Sequence, residues 1–397
     1  MNFLRKQLDS IKHNFEKGGK LEKYYFAYEA FDTFLFVPNT TTDTKGVQVR
    51  DAVDMKRLMM TVIIAMLPCL VFGMWNVGHQ HFLSLGQAAT LQEKFWIGLV
   101  KTVPIIVVSY GVGLGIEFVF STLRRHPVNE GFLVSGMLIP LVMPAGIPLW
   151  QVAIATAFAV IIGKEAFGGT GMNVLNVALM ARAFLYFAYP SQISGEVWTY
   201  LGEGAKTVSG YSGATPLALA AQSTGNVVSD LNSFGAGWAD GIYNFWNMFM
   251  GVMPGCIGET STLMCLVGAA ILIITGVGSW KIIFSVFAGA FAMGLFLNAV
   301  GTTPFTQMPA HYHLVIGGLA FGAVFMATDP VTAAQTERGK WIYGFLIGIF
   351  TVLIRVFNPA YPEGIMLAIL LMNVFAPLID YFVVAANKKR RLHRATV

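Results

Sequence analysis

Charge is scarce in this chain. Lys, Arg, Asp and Glu make up 12% of its 397 residues, about half the share that soluble domains carry. Cysteine is nearly absent: Cys69, Cys256 and Cys265, with no Cys-x-x-Cys pair. Iron–sulfur clusters take four thiolates at set spacings, so the chain is not expected to hold one alone. Small apolar core positions are the ordinary use of such cysteines. Histidine is sparse as well. His79/His81 and His311/His313 lack a third ligand in sequence, and no metal site is expected from them. No short apolar run followed by a small-residue cleavage site opens the chain, so a secretory leader is not expected. The formal charge of +5 gathers at the ends, with ten Lys/Arg in residues 1–57 and five more at Lys388, Lys389, Arg390, Arg391 and Arg394. Short basic flanks are topology signals, and no nucleic-acid partner is expected.

What abounds is apolar sequence, 55% hydrophobic with a mean hydropathy of +0.62. Several runs approach the ~20 residues that cross a bilayer. The reading is an all-α membrane protein of about ten transmembrane helices. Crossings are expected at about 58–78, 97–123, 131–149, 150–167, 173–189, 260–279, 282–300, 312–328, 341–357 and 364–385. The division is then a cytoplasmic N-terminal extension (1–56), a five-helix repeat (57–189), a polar loop with an interfacial segment (190–255), a second five-helix repeat (256–387) and a basic tail (388–397). Ten crossings put both termini on one side. The positive-inside rule makes it the cytoplasm, together with Arg124/Arg125, Lys281 and Arg338/Lys340.

The halves echo each other. Trp150 opens an apolar run broken at Gly168-Gly169-Thr170-Gly171, and Trp341 one broken at Asn358-Pro359-Ala360-Tyr361-Pro362. Each follows a run that ends in a proline break, at Pro144 to Pro148 and at Asp329-Pro330. Five crossings per half make the repeats inverted and pseudo-symmetric, an architecture that places sites at broken helices near the midplane.

Three groups of residues could carry chemistry. In Ser212-Gly213-Ala214-Thr215-Pro216 the small residues leave the threonine backbone accessible, and Pro216 holds Thr215 extended. An ordinary exposed loop threonine is the plain alternative. In the Gly168–Asn173 break, Gly169 and Gly171 allow close backbone approach. A helix restarting there offers unpaired N–H groups, and Asn173 and Asn176 lie three apart, on one helix face. Amides can pair with the donor and acceptor edge of a polar ring; capping of the broken helix is the alternative. Glu117, Glu165, Glu259, Asp329, Glu363 and Asp380 fall in or near apolar segments, where carboxylates line ion paths or pair with bases. Glu165 is expected to pair with Lys164 or cap a helix, Glu363 to pair with Arg355, and Asp380 to be solvated if it carries no ion. Gly111-Val112-Gly113-Leu114-Gly115 lies inside an apolar helix, so it reads as helix packing and not as a nucleotide loop.

The chain resembles, almost throughout, the NqrB family, a membrane component of the Na+-translocating NADH:quinone oxidoreductases. The resemblance rests on Phe15-Glu16-Lys17-Gly18-Gly19-Lys20, Tyr28-Glu29-Ala30, Arg50-Asp51, Lys56-Arg57, Val128-Asn129-Glu130-Gly131-Phe132 and Lys164-Glu165-Ala166-Phe167-Gly168-Gly169-Thr170-Gly171. It continues in Tyr189-Pro190, Phe325-Met326-Ala327-Thr328-Asp329-Pro330 and Asn358-Pro359-Ala360-Tyr361-Pro362-Glu363-Gly364. It implies FMN joined to Thr215 by a phosphodiester that a separate flavin transferase makes, and non-covalent riboflavin beside Asn173 and Asn176. It implies a quinone region near Gly113 and Glu117, and a sodium route through Glu29, Glu117, Asp329 and Asp380. It further implies a complex with five other subunits in a bacterial inner membrane, passing electrons to ubiquinone with Na+ movement. Departures are Ser209, where the family usually has an acidic residue, Val177, where it tends to have proline, and Leu114, where some members have glycine. The alternatives are the RnfD component of the homologous Rnf ferredoxin:NAD+ complex and a flavin-free transporter of a small polar solute.

Overall fold

The computed structural model describes residues 2–16, 18–36, 46, 55–128, 131–202, 206–239, 241–358, 361 and 363–395. Lys17, Arg50, Asp51, Asn129, Glu130, Pro359, Ala360 and Pro362 of the motifs above lie outside that set. Among the described residues every regular element is helical.

Two short helices, α1 (Asn2–Lys12) and α2 (Tyr25–Leu35), form a hairpin. Arg5 Nη1 donates to Asp32 Oδ1 at 2.8 Å, and the Tyr28 hydroxyl donates to Leu8 O at 3.1 Å. The hairpin docks on the first membrane helices: Phe31 meets Phe118 at 5.8 Å, and Arg57 Nη1 donates to Thr33 O at 3.1 Å. Lys56 also donates to Ala30 O and Thr33. These cations meet the carbonyl end of α2, where the helix dipole favours them.

The first half runs through α3 (Met55–Leu85), α4 (Leu91–Arg124), α5 (Phe132–Leu141), α6 (Leu149–Gly163) and α7 (Val177–Ala188). A polar-rich segment with α8 (Pro216–Gln222), α9 (Val227–Ser233) and α10 (Phe245–Met250) follows. The second half holds α11 (Thr262–Ile274), α12 (Trp280–Val300), α13 (Tyr312–Val315), α14 (Leu319–Phe321) with a π-turn over Gly322–Met326, α15 (Glu337–Phe357) and α16 (Ile365–Ala395). Six of the described helical segments are long and apolar enough to cross a membrane: Met55–Leu85, Leu91–Arg124, Leu149–Phe167, Trp280–Val300, Glu337–Phe357 and Ile365–Ala395. The expected crossings at 131–149, 173–189, 260–279 and 312–328 are instead short helices or broken pieces. At 1.5 Å per residue the ten-residue α5 covers only about 15 Å, half the hydrocarbon thickness. Pro148, extended, starts α6, and Gly317 with φ +68° separates α13 from α14.

Packing repeats between the halves: α12 lies on α15 as α4 lies on α6, α15 on α16 as α6 on α7, and α3 meets α11 across the middle. Lys281 and Lys340 share the carboxylate of Glu337, so the starts of α12 and α15 are at one end, as the charge rule expects. Many apolar side chains of α3 and α4 remain exposed, among them Ile64, Val71, Trp96 and Val107; a surface of this kind suits lipid.

The 190–255 segment is more than a polar loop. Leu217, Val227, Leu231, Ile242, Tyr243 and Met248 form a second apolar core, shared with Phe305 and Tyr312 of the second half.

Candidate functional site

Two cavities lie at opposite ends of α7. One, of about 330 Å³, is lined by Thr215, Arg182, Trp198, Glu259 and Tyr361. The other, of about 550 Å³, is lined by Asn173, Asn176, Thr170, Lys164 and Asp329. Asn176 caps the start of α7 and Arg182 follows six residues later, about 9 Å of helix rise. The second cavity also takes in Thr275 and Gly276 of the α11–α12 turn, at the end that carries the short basic loops.

Thr215 is the N-cap of α8. Its backbone is extended (φ −77°, ψ 159°), Pro216 holds the first helical position, and its Oγ1 accepts from Ala218 N at 3.3 Å. Both preferences belong to the sequence itself: threonine caps and proline starts. The three residues before it are fixed from both sides. Ser212 Oγ donates to Glu196 Oε1 at 3.0 Å, and the Tyr243 hydroxyl donates to Ala214 O at 2.5 Å. Burial pushes the Tyr243 phenol well above its ordinary range, so it remains a donor. At Gly213 a Cβ would lie 3.0 Å from the Glu196 carbonyl oxygen, a tight contact that glycine avoids.

Behind Thr215 the cavity floor is charged. Arg182 is 3% exposed and Glu259 4%. Arg182 Nη1 donates to Val142 O at 2.6 Å, to Glu259 Oε1 at 3.0 Å and to Cys256 Sγ at 3.0 Å. The Val142 carbonyl is an orphan left by the end of α5, so the arginine satisfies the helix break. Arg355 does the same in the other half, donating to His313 O at 2.6 Å, Ile316 O at 2.9 Å and Glu363 O at 3.0 Å. Glu363 accepts from Gly318 N at 2.6 Å and lies 3.9 Å from Arg355, the pairing expected for it. The sequence reading missed Arg182; its signal was one basic residue inside the apolar run of α7.

Asn173 and Asn176 line one cavity, but not through a shared helix face. Asn176 Oδ1 accepts from Ala178 N at 3.0 Å and Leu179 N at 3.2 Å, which starts the helix only at Val177. Asn173 precedes it in a turn, donating to Leu175 O at 3.1 Å. Gly169 and Gly171 take φ of +101° and +90° and shape the break, while Thr170 between them lines the cavity. The Thr170 hydroxyl is buried without a partner.

Glu165 pairs with Arg124 at 2.9 Å instead of with Lys164, because Lys164 points to Glu117 in the interior. Gly113 is covered by the ring of Phe132, so no cavity opens at that glycine. A groove of about 1160 Å³ lies instead between the N-terminal hairpin and the end of α4, lined by Phe15, Tyr25, Phe26 and Leu123. Glu29 is on α2, half-buried. Asp329 accepts from Thr332 Oγ1 at 2.8 Å and Val331 N at 3.3 Å. Asp380 is not simply solvated: it accepts from Gln335 N at 2.7 Å and Thr336 N at 3.0 Å, and from the Thr336 hydroxyl. Glu29, Glu117, Asp329 and Asp380 are therefore spread along one end of the fold, and among the described residues no cluster of three or more acids, histidines or cysteines forms. The three cysteines are buried; Cys256 touches Arg182, and Cys69 meets Cys265 at 3.8 Å.

The model of the NQR2, RnfD, RnfE family matches residues 42–389. The chain is 48% identical to the NqrB subunit of the Na(+)-translocating NADH-quinone reductase of Ectopseudomonas mendocina (strain ymp), over 98% of this chain and 99% of that protein. It is 47% identical to the protein of the same name from Azotobacter vinelandii (strain DJ / ATCC BAA-1303), with the same coverage, and 46% identical to that of Chromohalobacter salexigens, over 98% and 96%. The chain belongs to the NQR2, RnfD, RnfE family, among the NqrB subunits of the Na(+)-translocating NADH-quinone reductases.

Proposed function

We propose that this chain is the membrane redox subunit of a respiratory Na+ pump, with covalent FMN on Thr215, riboflavin beside Asn173 and Asn176, and ubiquinone as acceptor. One observation carries the reading: the two cavities at opposite ends of α7, one beside Thr215 and one at Asn173 and Asn176. Both fall within the roughly 300–1,000 Å³ typical of pockets for small organic ligands. Flavins would supply the two-electron and one-electron chemistry; the chain supplies spacing, orientation and electrostatics.

The residues fit such groups. Thr215 Oγ1 is an alcohol at the mouth of its cavity, and the Glu196, Ser212 and Tyr243 contacts fix its backbone. That hydroxyl would hold the flavin phosphate as a phosphodiester, a bond for a separate flavin transferase to make. At the other cavity the unpartnered Thr170 hydroxyl and the amides of Asn173 and Asn176 offer donors and acceptors for a ring edge. Asn176 spends its oxygen on the helix cap, which leaves its NH2 to donate.

In this reading the Thr215 cavity faces the periplasm and both termini face the cytoplasm of a bacterial inner membrane. Glu29, Glu117, Asp329 and Asp380 mark the sodium route, and five further subunits complete the complex. The names of the relatives support the enzyme class and the ion.

The test is a flavin inventory of the purified chain from a host that makes the transferase. Two flavins per chain are expected, one released on denaturation and one retained. Asn173→Leu with Asn176→Leu removes only the released one. Loss of neither flavin in that variant, or a chain with no releasable flavin, contradicts the second site.

A further inference from the structure

The charged floor of the Thr215 cavity holds an unfinished hydrogen-bonding set. Arg182 uses Nη1 three times, on Val142 O, Cys256 Sγ and Glu259 Oε1. Its Nε–H is buried with no partner. A donor on a buried cation that lacks an acceptor is costly, and native proteins rarely leave one unmet without a reason. The guanidinium cannot turn away to find an acceptor, because Glu259 and the end of α5 pin it. It also lies 5.8 Å from the ring of Trp198, which lines the same cavity.

Depth separates the two ends of this space. Thr215 is half-buried at the mouth, whereas Arg182, Glu259 and Cys256 are buried at the floor. A group tethered through Thr215 Oγ1 would have its phosphate at the mouth, with the cavity behind it open to its ring. We infer that Arg182 is the residue that receives the flavin ring, its free Nε–H bonding to the carbonyl-bearing pyrimidine edge, and that it raises the reduction potential of that flavin. The inference rests on the reading that Thr215 carries FMN.

The sign follows from charge. Uptake of two electrons and one proton leaves a flavin with one more negative charge than before. A fixed guanidinium in a low-dielectric site favours that form over the oxidised one. Glu259 opposes the effect in part, and so does Glu363, which lines the same cavity while accepting from Gly318 N and lying 3.9 Å from Arg355. The arginine's role is therefore both positional, through Nε–H, and electrostatic, through its charge.

The experiment is a redox titration of the covalent flavin in the purified full chain, with dithionite as reductant, at equal flavin load by denaturing-gel fluorescence. Arg182→Lys keeps the charge and loses Nε–H; Arg182→Gln loses both. The midpoint potential is expected to fall in both, further in the glutamine variant. Equal potentials in all three chains overturn the inference. Trp198→Phe leaves the Arg182–Glu259 pair in place and serves if the arginine variants do not accumulate. A tryptophan against a flavin quenches its emission, so native-state flavin fluorescence is expected to rise in Trp198→Phe; unchanged emission places the ring elsewhere and overturns the inference. A wild-type band dark on the denaturing gel removes the Thr215 flavin itself, whereas a bright band with unmoved potentials and emission removes only the role of Arg182.

Discussion

The ammonium of Lys164 is held in the protein interior by the carboxylate of Glu117, 47 residues away, with the two side chains 4% and 3% exposed. The next residue, Glu165, reaches back to Arg124, which like Glu117 belongs to α4. The break after α6 is thus fastened to α4 by two ion pairs, and the walls of the Asn173 cavity depend on it. Removing Glu117 leaves the buried Lys164 ammonium without that carboxylate. Glu117→Ala is expected to destabilise the chain by about 3–5 kcal/mol. Glu117→Met with Lys164→Met should recover most of that. Thermal unfolding in detergent reads both; an unaltered single variant contradicts the pairing.

Gly113 leaves room for the Phe132 ring, which also lies 5.9 Å from Lys164 Nζ. Gly113→Val is expected to push the ring aside and cost about 1–3 kcal/mol. Gly113→Val combined with Phe132→Ala should be milder than the sum of its parts. Additive losses would mean that the two positions do not meet.

Asn176 has two duties that substitution can separate. Asn176→Asp keeps an oxygen for Ala178 N and Leu179 N but loses the NH2. Asn176→Ala loses the cap as well, at about 1 kcal/mol. Releasable flavin should fall in both variants, while the unfolding temperature falls chiefly in the alanine one. Full flavin retention in Asn176→Asp would exclude the amide from the cavity's chemistry.

Asp380 anchors the turn that starts α15, through Gln335 N, Thr336 N and the Thr336 hydroxyl. Asp380→Ala is expected to speed amide exchange over residues 335–339, and Asp380→Asn to do so less, since it keeps an acceptor. If exchange stayed unchanged and only Na+ transport fell, the anchoring role would be wrong.

Much of this fold was readable from residue order. The long apolar runs became α3, α4, α12, α15 and α16, and Pro148 and the 168–171 glycines fell at real interruptions. Thr215-Pro216 gave its extended cap as read, because both preferences are local. Pairings across the chain were hidden. Arg182 and Glu259 are 77 residues apart, and Lys164 could have chosen Glu165 beside it over Glu117. Hydropathy locates helices but says nothing of which side chains meet once those helices pack. The Asn173–Asn176 spacing misled for a related reason: the Asn176 side chain captured the first free N–H groups, so the helix began after it and not before.

The most direct test is flavin fluorescence of the purified chain on a denaturing gel, wild type beside Thr215→Val, from a host that makes the flavin transferase. A covalent flavin at Thr215 predicts a fluorescent wild-type band and a dark variant of equal protein load. A dark wild-type band, or a variant as bright as the wild type, contradicts it. A dark wild-type band would leave the cavity behind Thr215 to the reading as a solute transporter.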